Sequence, residues 1–391
     1  MSEFKGGMRP DVLKHFRDNI YTKLGVRPMI NAKGTVTSLG GSIMAPEVIQ
    51  AMIEASQYFV SMSDLHEKVG QRIAELIGVE AATVTTGAAG AITMATAACV
   101  TEGNPDKAYR LPETLGMKSE VIMQKSHRAY EAQMRLVGAR IVEVETAEDL
   151  EAAVGPNTAM LFFLNVQDPK GHIGRKAWVA AGRRHRVPTF NDAAADVPPV
   201  ERLSEYLAMG FDLVGFSGGK GLRGPQNTGL LLGRRDLVTC ARAHGRLWGG
   251  IGRAMKVGKE EVAGLLAAVD RFVNLDHQAE RELLESRVEM IERILSDVDG
   301  VRTVAHVPEI ANHVPHLSVE WDVEKIGLSS HEVSRQLLKG NPAIAVGGYM
   351  PRSGFEEGPS LTGVTVSVWM LQSEEPEIVG QRLREILMQF S

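Results

Sequence analysis

Cysteine is nearly missing from this chain: Cys99 and Cys240 are the only two among 391 residues, and they stand far apart. That excludes a disulfide framework and a zinc site built on paired cysteines, and makes a reducing cytoplasm the expected compartment. Long apolar runs are missing too. The best candidate, residues 88–100, is short and full of alanine and threonine, so it reads as a buried helix and not as a bilayer span. Residues 1–16 carry charges where a signal peptide needs an apolar segment. Positive charge is not in excess: the formal net charge is −5, which leaves no electrostatic footprint for nucleic acid. Internal repeats and low-complexity segments are absent as well. No metal, nucleic acid or membrane partner is expected, and the length allows two or three domains.

What is present is a rhythm of short apolar runs and helical periods. Runs at 121–124, 140–144, 159–166 and 188–191 alternate with helical patterns at 129–137, 147–154 and 175–185. This predicts an α/β fold whose mostly parallel sheet carries helices on both faces. Ahead of it, Pro46 and Glu47 mark a helix start, and Leu65, Val69, Ile73 and Leu76 recur at helical spacing over 63–77. After Gly250, two long helical faces (Val262, Leu265, Leu266, Val269, Phe272, then Leu284, Val288, Ile291, Leu295) are expected to lead into a smaller α+β C-terminal domain. Its strands fall at 317–321, 343–346 and 364–370 and its helices at 329–338 and 374–388, with Ser329 and Glu332 as a capping box. The expected division is an N-terminal arm over 1–28, with a helical piece around 12–19, a large domain over 29–255, and linking helices plus the small domain over 256–391. The glycine- and proline-rich loop 347–363, which contains Arg352, reads as a lid or a long surface connection.

Three stretches carry chemistry. The first, Ser217-Gly218-Gly219-Lys220-Gly221-Leu222-Arg223-Gly224-Pro225-Gln226, lies between apolar runs at 211–216 and 228–233. It presents Lys220 on a connection between two strands, and the missing β-carbons around it would let another molecule approach the backbone. A glycine-rich surface turn with a solubilising charge is the plain alternative. A nucleotide phosphate loop is excluded by spacing, because Val214 stands where the first glycine belongs and Gly221 replaces the hydroxyl residue after the lysine. The second stretch is Asn191-Asp192-Ala193-Ala194, where an acid leaves an apolar strand among alanines and calls for a cationic partner. The third, Thr85-Thr86-Gly87-Ala88-Ala89, is a strand, a tight turn and a helix start, which either seats a phosphate on unpaired amides or exists for packing alone. Thr86, Asp192 and Lys220 each follow a predicted strand, so one sheet edge can gather them. A covalent anchor, an acid for a pyridinium nitrogen and a phosphate seat are the three attachments pyridoxal phosphate requires.

Together with Asn31-Ala32-Lys33-Gly34-Thr35 and Gly224-Pro225-Gln226, these motifs resemble the fold type I pyridoxal phosphate enzymes over about residues 24–388. The branch is the one similar to bacterial selenocysteine synthase and D-glucosaminate-6-phosphate ammonia-lyase. The resemblance implies the fold type I transferase architecture and a homodimer or higher homo-oligomer with active sites between subunits. It implies that Lys220 holds the cofactor as a Schiff base and then serves as the base, that Asp192 pairs with the pyridine nitrogen, and that Gly87, Ala88 and Ser217 hold the phosphate. His127, in Lys125-Ser126-His127-Arg128, either stacks on the ring or is a polar loop residue. The implied reaction is removal of ammonia from a β-hydroxy amino acid or amino sugar acid to give a 2-oxo acid. Aldol cleavage, racemisation, selenium transfer and non-catalytic cofactor binding are the alternatives. Only about 28 residues precede the family-like opening, so a domain for seryl-tRNA is not expected. A phosphorylated small-molecule substrate would need basic groups, and Arg223, Arg246, Arg253, Lys256, Lys259 and Arg352 are the candidates; each also reads as an ordinary surface charge.

Overall fold

The computed structural model describes residues 18–245, 250–348 and 361–389. The helical piece around 12–19, most of the loop 347–363, Arg246 and Arg352 lie largely or wholly outside the described residues. The chain divides into two compact units, the larger made of Gly40–Leu275 with Glu309–His313, the smaller of the described parts of Met1–Leu39, Asp276–Pro308 and Val314–Ser391.

After a single helical turn at Ile20–Lys23, β1 (Met29–Ala32) is the first strand and belongs to the smaller unit. The larger unit opens with α1 (Pro46–Ser56), which starts at the expected proline, and α2 (Met62–Ile77), capped by the Ser61 side chain accepting from the Asp64 amide. Then follow β2 (Ala81–Thr85), α3 (Gly87–Thr101), β3 (Glu120–Gln124), β4 (Arg140–Val144), β5 (Thr158–Leu164), α4 (Arg175–His185) and β6 (Thr189–Asp192). After these come α5 (Arg202–Met209), β7 (Leu213–Ser217), β8 (Gly229–Gly233), α6 (Arg235–His244) and α7 (Lys259–Val273). The seven strands form one sheet in the order β2-β8-β7-β6-β5-β3-β4. The pairs from β7 through to β4 are parallel, and β8 runs antiparallel to both its neighbours.

Both faces of this sheet are covered, which is why its strands read as continuous apolar runs. Along β5, Met160, Phe162 and Leu164 pack with Ala91, Ala95 and Ala98 of α3, while Leu161 and Phe163 pack with Trp178 of α4 on the opposite face. Helix α3 is buried from Gly90 to Thr101, as expected for an alanine-rich helix without a polar stripe.

The division differs from the expected one at two places. β1 pairs in parallel with the strand at 343–348, so residues near 30 belong with the smaller unit and not the large domain. Helix α7 buries Val262, Leu265, Val269 and Phe272 in the core of the larger unit, so it is part of that unit and not a link. The smaller unit continues with α8 (His277–Leu295), β9 (Val301–His306), β10 (His316–Asp322), α9 (Ser330–Lys339), β11 (Ala343–Gly348), β12 (Leu361–Ser367) and α10 (Glu375–Leu387). Its sheet, β1-β11-β12-β10-β9, is antiparallel apart from the β1–β11 pair. Ser329 and Glu332 form the capping box that opens α9. No helix among the described residues is long and apolar enough to cross a membrane.

Candidate active site

Strands β2, β3, β5, β6 and β7 point the same way, so the loops at their carboxyl ends share one edge of the larger sheet. Each delivers a group there. Behind β2 comes the start of α3, behind β3 His127, behind β5 Asn165, at the end of β6 Asp192, and behind β7 Lys220.

The start of α3 is built to be open. Thr86 gives no side-chain cap, so the first amides of a fifteen-residue helix lack intrahelical partners and sit at the positive end of its dipole. Gly87 takes φ +67°, and the Thr85 hydroxyl donates to its carbonyl at 3.0 Å. In the sheet, Gly229 of β8 stands opposite Thr85 on one side and Ser217 on the other. Ser217 therefore faces the helix start from within about 10 Å, two strand spacings away. A β-carbon on Gly229 would lie 2.2 Å from the Gly87 carbonyl and 2.7 Å from the Ala88 nitrogen. Only glycine lets the helix start lie this close to the sheet. Gly229→Ala is expected to cost about 1–3 kcal/mol by overpacking and to weaken uptake of a phosphate-bearing cofactor. Melting temperature and cofactor titration read the two effects; an alanine variant matching wild type in both contradicts the assignment.

Asp192 and Lys220 face each other electrostatically in a poorly solvated place. Asp192 is only 3 % exposed, and its Oδ1 accepts from the Ala194 amide at 3.0 Å. Burial pushes its carboxyl up to about 6, against the opposing pull of that amide and of the Lys220 charge. Burial also holds the Lys220 amine below the usual lysine range, while Asp192 and Asp196 pull it upward. Each group is thus less readily charged than in water, an amine suited to nucleophilic attack beside an acid that lacks a strong cationic partner.

The glycines around Lys220 have a different cause from the expected one. A β-carbon on Gly218 would lie 2.0 Å from Thr228 Oγ1, and one on Gly219 would lie 2.4 Å from Gln226 Cα. Gly218 and Gly219 make room for the returning chain at 226–228, not for another molecule. The turn is closed by the Gly218 amide on Thr228 O (2.8 Å) and the Gly224 amide on Gly218 O (2.8 Å), and this closure presents Lys220.

His127 is fully buried, which removes the reading as a solvated loop residue. The Leu164 amide donates to its Nδ1 at 3.1 Å, so the proton of the neutral ring lies on Nε2. Phe163 meets the ring edge-on at 4.7 Å and 88°. Burial lowers the imidazole to about 4, so it is neutral at physiological pH.

Sequence reasoning missed a neighbouring carboxylate cluster. Asp196 is 1 % exposed and accepts at Oδ2 from Asn165 Nδ2 (2.5 Å) and from the Tyr206 hydroxyl (2.8 Å), and burial raises its carboxyl. Its charge acts on both Asp192 and Lys220. Asn165 Oδ1 is buried without a hydrogen-bond partner among the described residues. The available signals were a lone asparagine at the end of the apolar run 159–166 and a second aspartate four residues after Asp192.

The nominated cations scatter. Arg223 takes φ +55°, and its Nε donates to Ile43 O at 2.9 Å, while Lys259 is tied to Ala55 O at 2.7 Å and to Glu260. Arg253 and Lys256 line a common cavity. No cluster able to hold a metal occurs among the described residues.

Lys220, Asp192 and the uncapped start of α3 fit pyridoxal phosphate at its aldehyde, ring nitrogen and phosphate. The family model for L-seryl-tRNA selenium transferase (SelA) matches residues 29–331. The D-glucosaminate-6-phosphate ammonia lyase of Salmonella typhimurium is 31% identical over 94% of this chain and 98% of its own. A 5'-C-glycyluridine monooxygenase-decarboxylase from a Streptomyces species is 32% identical over 94% of this chain and 92% of its own. The solved structure of D-glucosaminate-6-phosphate ammonia-lyase superposes with a TM-score of 0.80 at 29% identity, covering 95% of this chain and 99% of that one. With most of its length matched by the family model and its half-buried lysine and buried aspartate on one sheet edge, the chain belongs to the L-seryl-tRNA selenium transferase (SelA) family.

Proposed function

We propose that this protein is a pyridoxal phosphate-dependent ammonia-lyase that converts a β-hydroxylated amino acid, an amino sugar acid in particular, into a 2-oxo acid and ammonia. The observation that carries this reading is the buried Asp192 with the half-buried Lys220 beside an open helix start. Similarity over nearly the full length of both chains to an ammonia lyase supports it.

When bound, pyridoxal phosphate acidifies the Cα–H bond of an attached amine and takes up the electron pair. The residues of this chain do the rest. Burial makes the Lys220 amine more readily neutral than a solvated lysine, so Nζ would hold the cofactor and later accept the Cα proton. The same Nζ then returns that proton to the departing β-hydroxyl, which leaves as water, and hydrolysis releases ammonia and the 2-oxo acid. Asp192, its Oδ1 held by the Ala194 amide, would keep a proton at the pyridine nitrogen. Gly87, Ala88 and Ser217 would seat the cofactor's phosphate. His127, packed on Phe163 and the Leu164 amide, has no exposed face for the cofactor ring and instead buttresses the end of β5 as a neutral imidazole. The exposed residues Tyr58, Phe59 and Val60 between α1 and α2, with Phe59 fully exposed, support a homo-oligomer in which a second copy covers them. Light scattering is expected to give at least twice the monomer mass.

A second reading, oxidation by dioxygen with loss of carbon dioxide, is favoured by the similarity to the monooxygenase-decarboxylase. One screen separates the outcomes. Holoenzyme is offered β-hydroxy amino acids and amino sugar acids while ammonia, 2-oxo acid, aldehyde, substrate stereochemistry and dioxygen uptake are followed. Equal release of ammonia and 2-oxo acid without dioxygen uptake supports the lyase. Aldehyde release, stereoinversion or dioxygen consumption overturns it.

A further inference from the structure

The turn that follows β6 is held at each of its residues. The Ala193 amide donates to Gly215 O at 2.9 Å, the Ser217 amide to Ala194 O at 3.2 Å, the Asn312 amide to Ala195 O at 2.7 Å, and the Asp196 amide to Ala193 O at 3.1 Å. This turn supplies the Ala194 amide that holds Asp192 Oδ1. Its far end is tied down by the Asp196 side chain, which accepts from Asn165 behind β5 and from Tyr206 of α5. Asn165 Nδ2 also donates to the Tyr206 hydroxyl at 2.9 Å, so the three side chains close a ring of hydrogen bonds. All three are at most 1 % exposed. Turning the Asn165 amide over would set its oxygen against the carboxylate, so Asp196 fixes that orientation as well.

Both donors to this carboxylate are neutral, and among the described residues no ion pair reaches it. Two arginines favour its charge from nearby but are engaged elsewhere. Arg202 donates to the main-chain oxygens of Asp196 (3.1 Å) and Glu309 (2.6 Å), and Arg175 is paired with Asp168 at 2.9 Å. A buried carboxylate without a cation in contact keeps its field for its surroundings. Lys220 and Asp192 both feel it, and Asp192 is faced by Tyr130 too.

We infer that Asp196 is a positioning residue for the cofactor site: clamped by Asn165 and Tyr206, it fixes the turn that aims Asp192, and its charge favours a proton on the Lys220 nitrogen. The inference rests on the reading above, in which Lys220 and Asp192 hold pyridoxal phosphate.

Two variants separate charge from clamp. Asp196→Asn removes the charge and keeps the clamp, because one amide oxygen can accept from both Asn165 and Tyr206. Tyr206→Phe keeps the carboxylate and removes one of its two donors. In the cofactor-free full chain, acetylation of the half-buried Lys220, mapped by mass spectrometry across pH, reads the titration midpoint of its amine. That midpoint is expected to fall by about one pH unit in Asp196→Asn, as for loss of a nearby negative charge, and to stay at the wild-type value in Tyr206→Phe. Titration with pyridoxal phosphate, followed by absorbance, is expected to show about tenfold weaker uptake by Tyr206→Phe, as for one charge-assisted hydrogen bond that is no longer well aimed.

An Asp196→Asn midpoint equal to that of wild type shows a residue that only supports the fold and overturns the inference, as does Tyr206→Phe that takes up the cofactor like wild type. Should Asp196→Asn not fold, Asp196→Ser, which keeps a hydroxyl acceptor, is read by the same midpoint. Failure of the underlying reading shows separately, as a wild-type chain that takes up no pyridoxal phosphate while the Lys220 midpoints of wild type and Asp196→Asn still differ.

Discussion

Lys220→Ala is expected to lower ammonia release by about 10⁴-fold or more and to remove the visible absorption band of the lysine-bound cofactor. Two losses combine. The variant has no amine to hold the cofactor covalently, and no base at the Cα proton, a contribution of about 10²–10⁴-fold where it has been measured for positioned bases. Burial holds the Lys220 amine low, and this effect outweighs the upward pull of Asp192 and Asp196. The amine is therefore more readily neutral than that of a lysine in water. Steady-state rates and an absorption spectrum check the prediction, and an alanine variant that keeps either the band or the rate contradicts it.

Asp192→Asn is expected to divide activity from stability. Losing the carboxylate removes the group that holds a proton at the ring nitrogen, so turnover should fall by about 10²–10³-fold, the range for one preorganised electrostatic partner. The cofactor-free protein should respond in the opposite direction. The folded Asp192 carboxyl is raised from 3.8 to about 6, chiefly by burial. A carboxyl raised in this way contributes stability that is fully present below the unfolded value and is lost as pH rises through the folded one. Asparagine does not titrate, so the variant should gain on wild type by about 1–2 kcal/mol between pH 5 and pH 7. Urea unfolding of both cofactor-free proteins at the two pH values measures this. A gap that stays constant or shrinks with pH means that the acid is not waiting for a cation.

Legibility in the sequence followed the range over which each signal acts. The parallel sheet, the buried α3, the turn carrying Lys220 and the strand-end Asp192 all rest on local patterns of ten or so residues, and all stand where those patterns placed them. β1 did not, because Met29–Ala32 becomes a strand only by pairing with Ala343–Val346, more than 300 positions away. Helix α7 shows the same limit: its apolar face gives a helix, but whose core it enters depends on α1 and α2.

Side-chain roles divided similarly. Gly218 and Gly219 read as room for another molecule, yet their cause, the close return of Thr228 and Gln226, is a fact of the folded loop. His127 looked equivocal within Lys125-Ser126-His127-Arg128, and only packing on Phe163 and the Leu164 amide shows it to be a buried neutral ring. The Asp196–Asn165–Tyr206 cluster joins three separate elements, so no window of sequence contains it. Arg223 was a reasonable choice by charge, but its guanidinium is engaged by Ile43 O.

The most direct test of Lys220 as the cofactor's anchor is chemical. Holoenzyme is reduced with borohydride, digested, and mapped by mass spectrometry for the lysine that carries the reduced pyridoxyl phosphate. One cofactor per chain on the peptide containing Lys220 is the expected result; a label on another lysine, or no label on a protein saturated with pyridoxal phosphate, would contradict it.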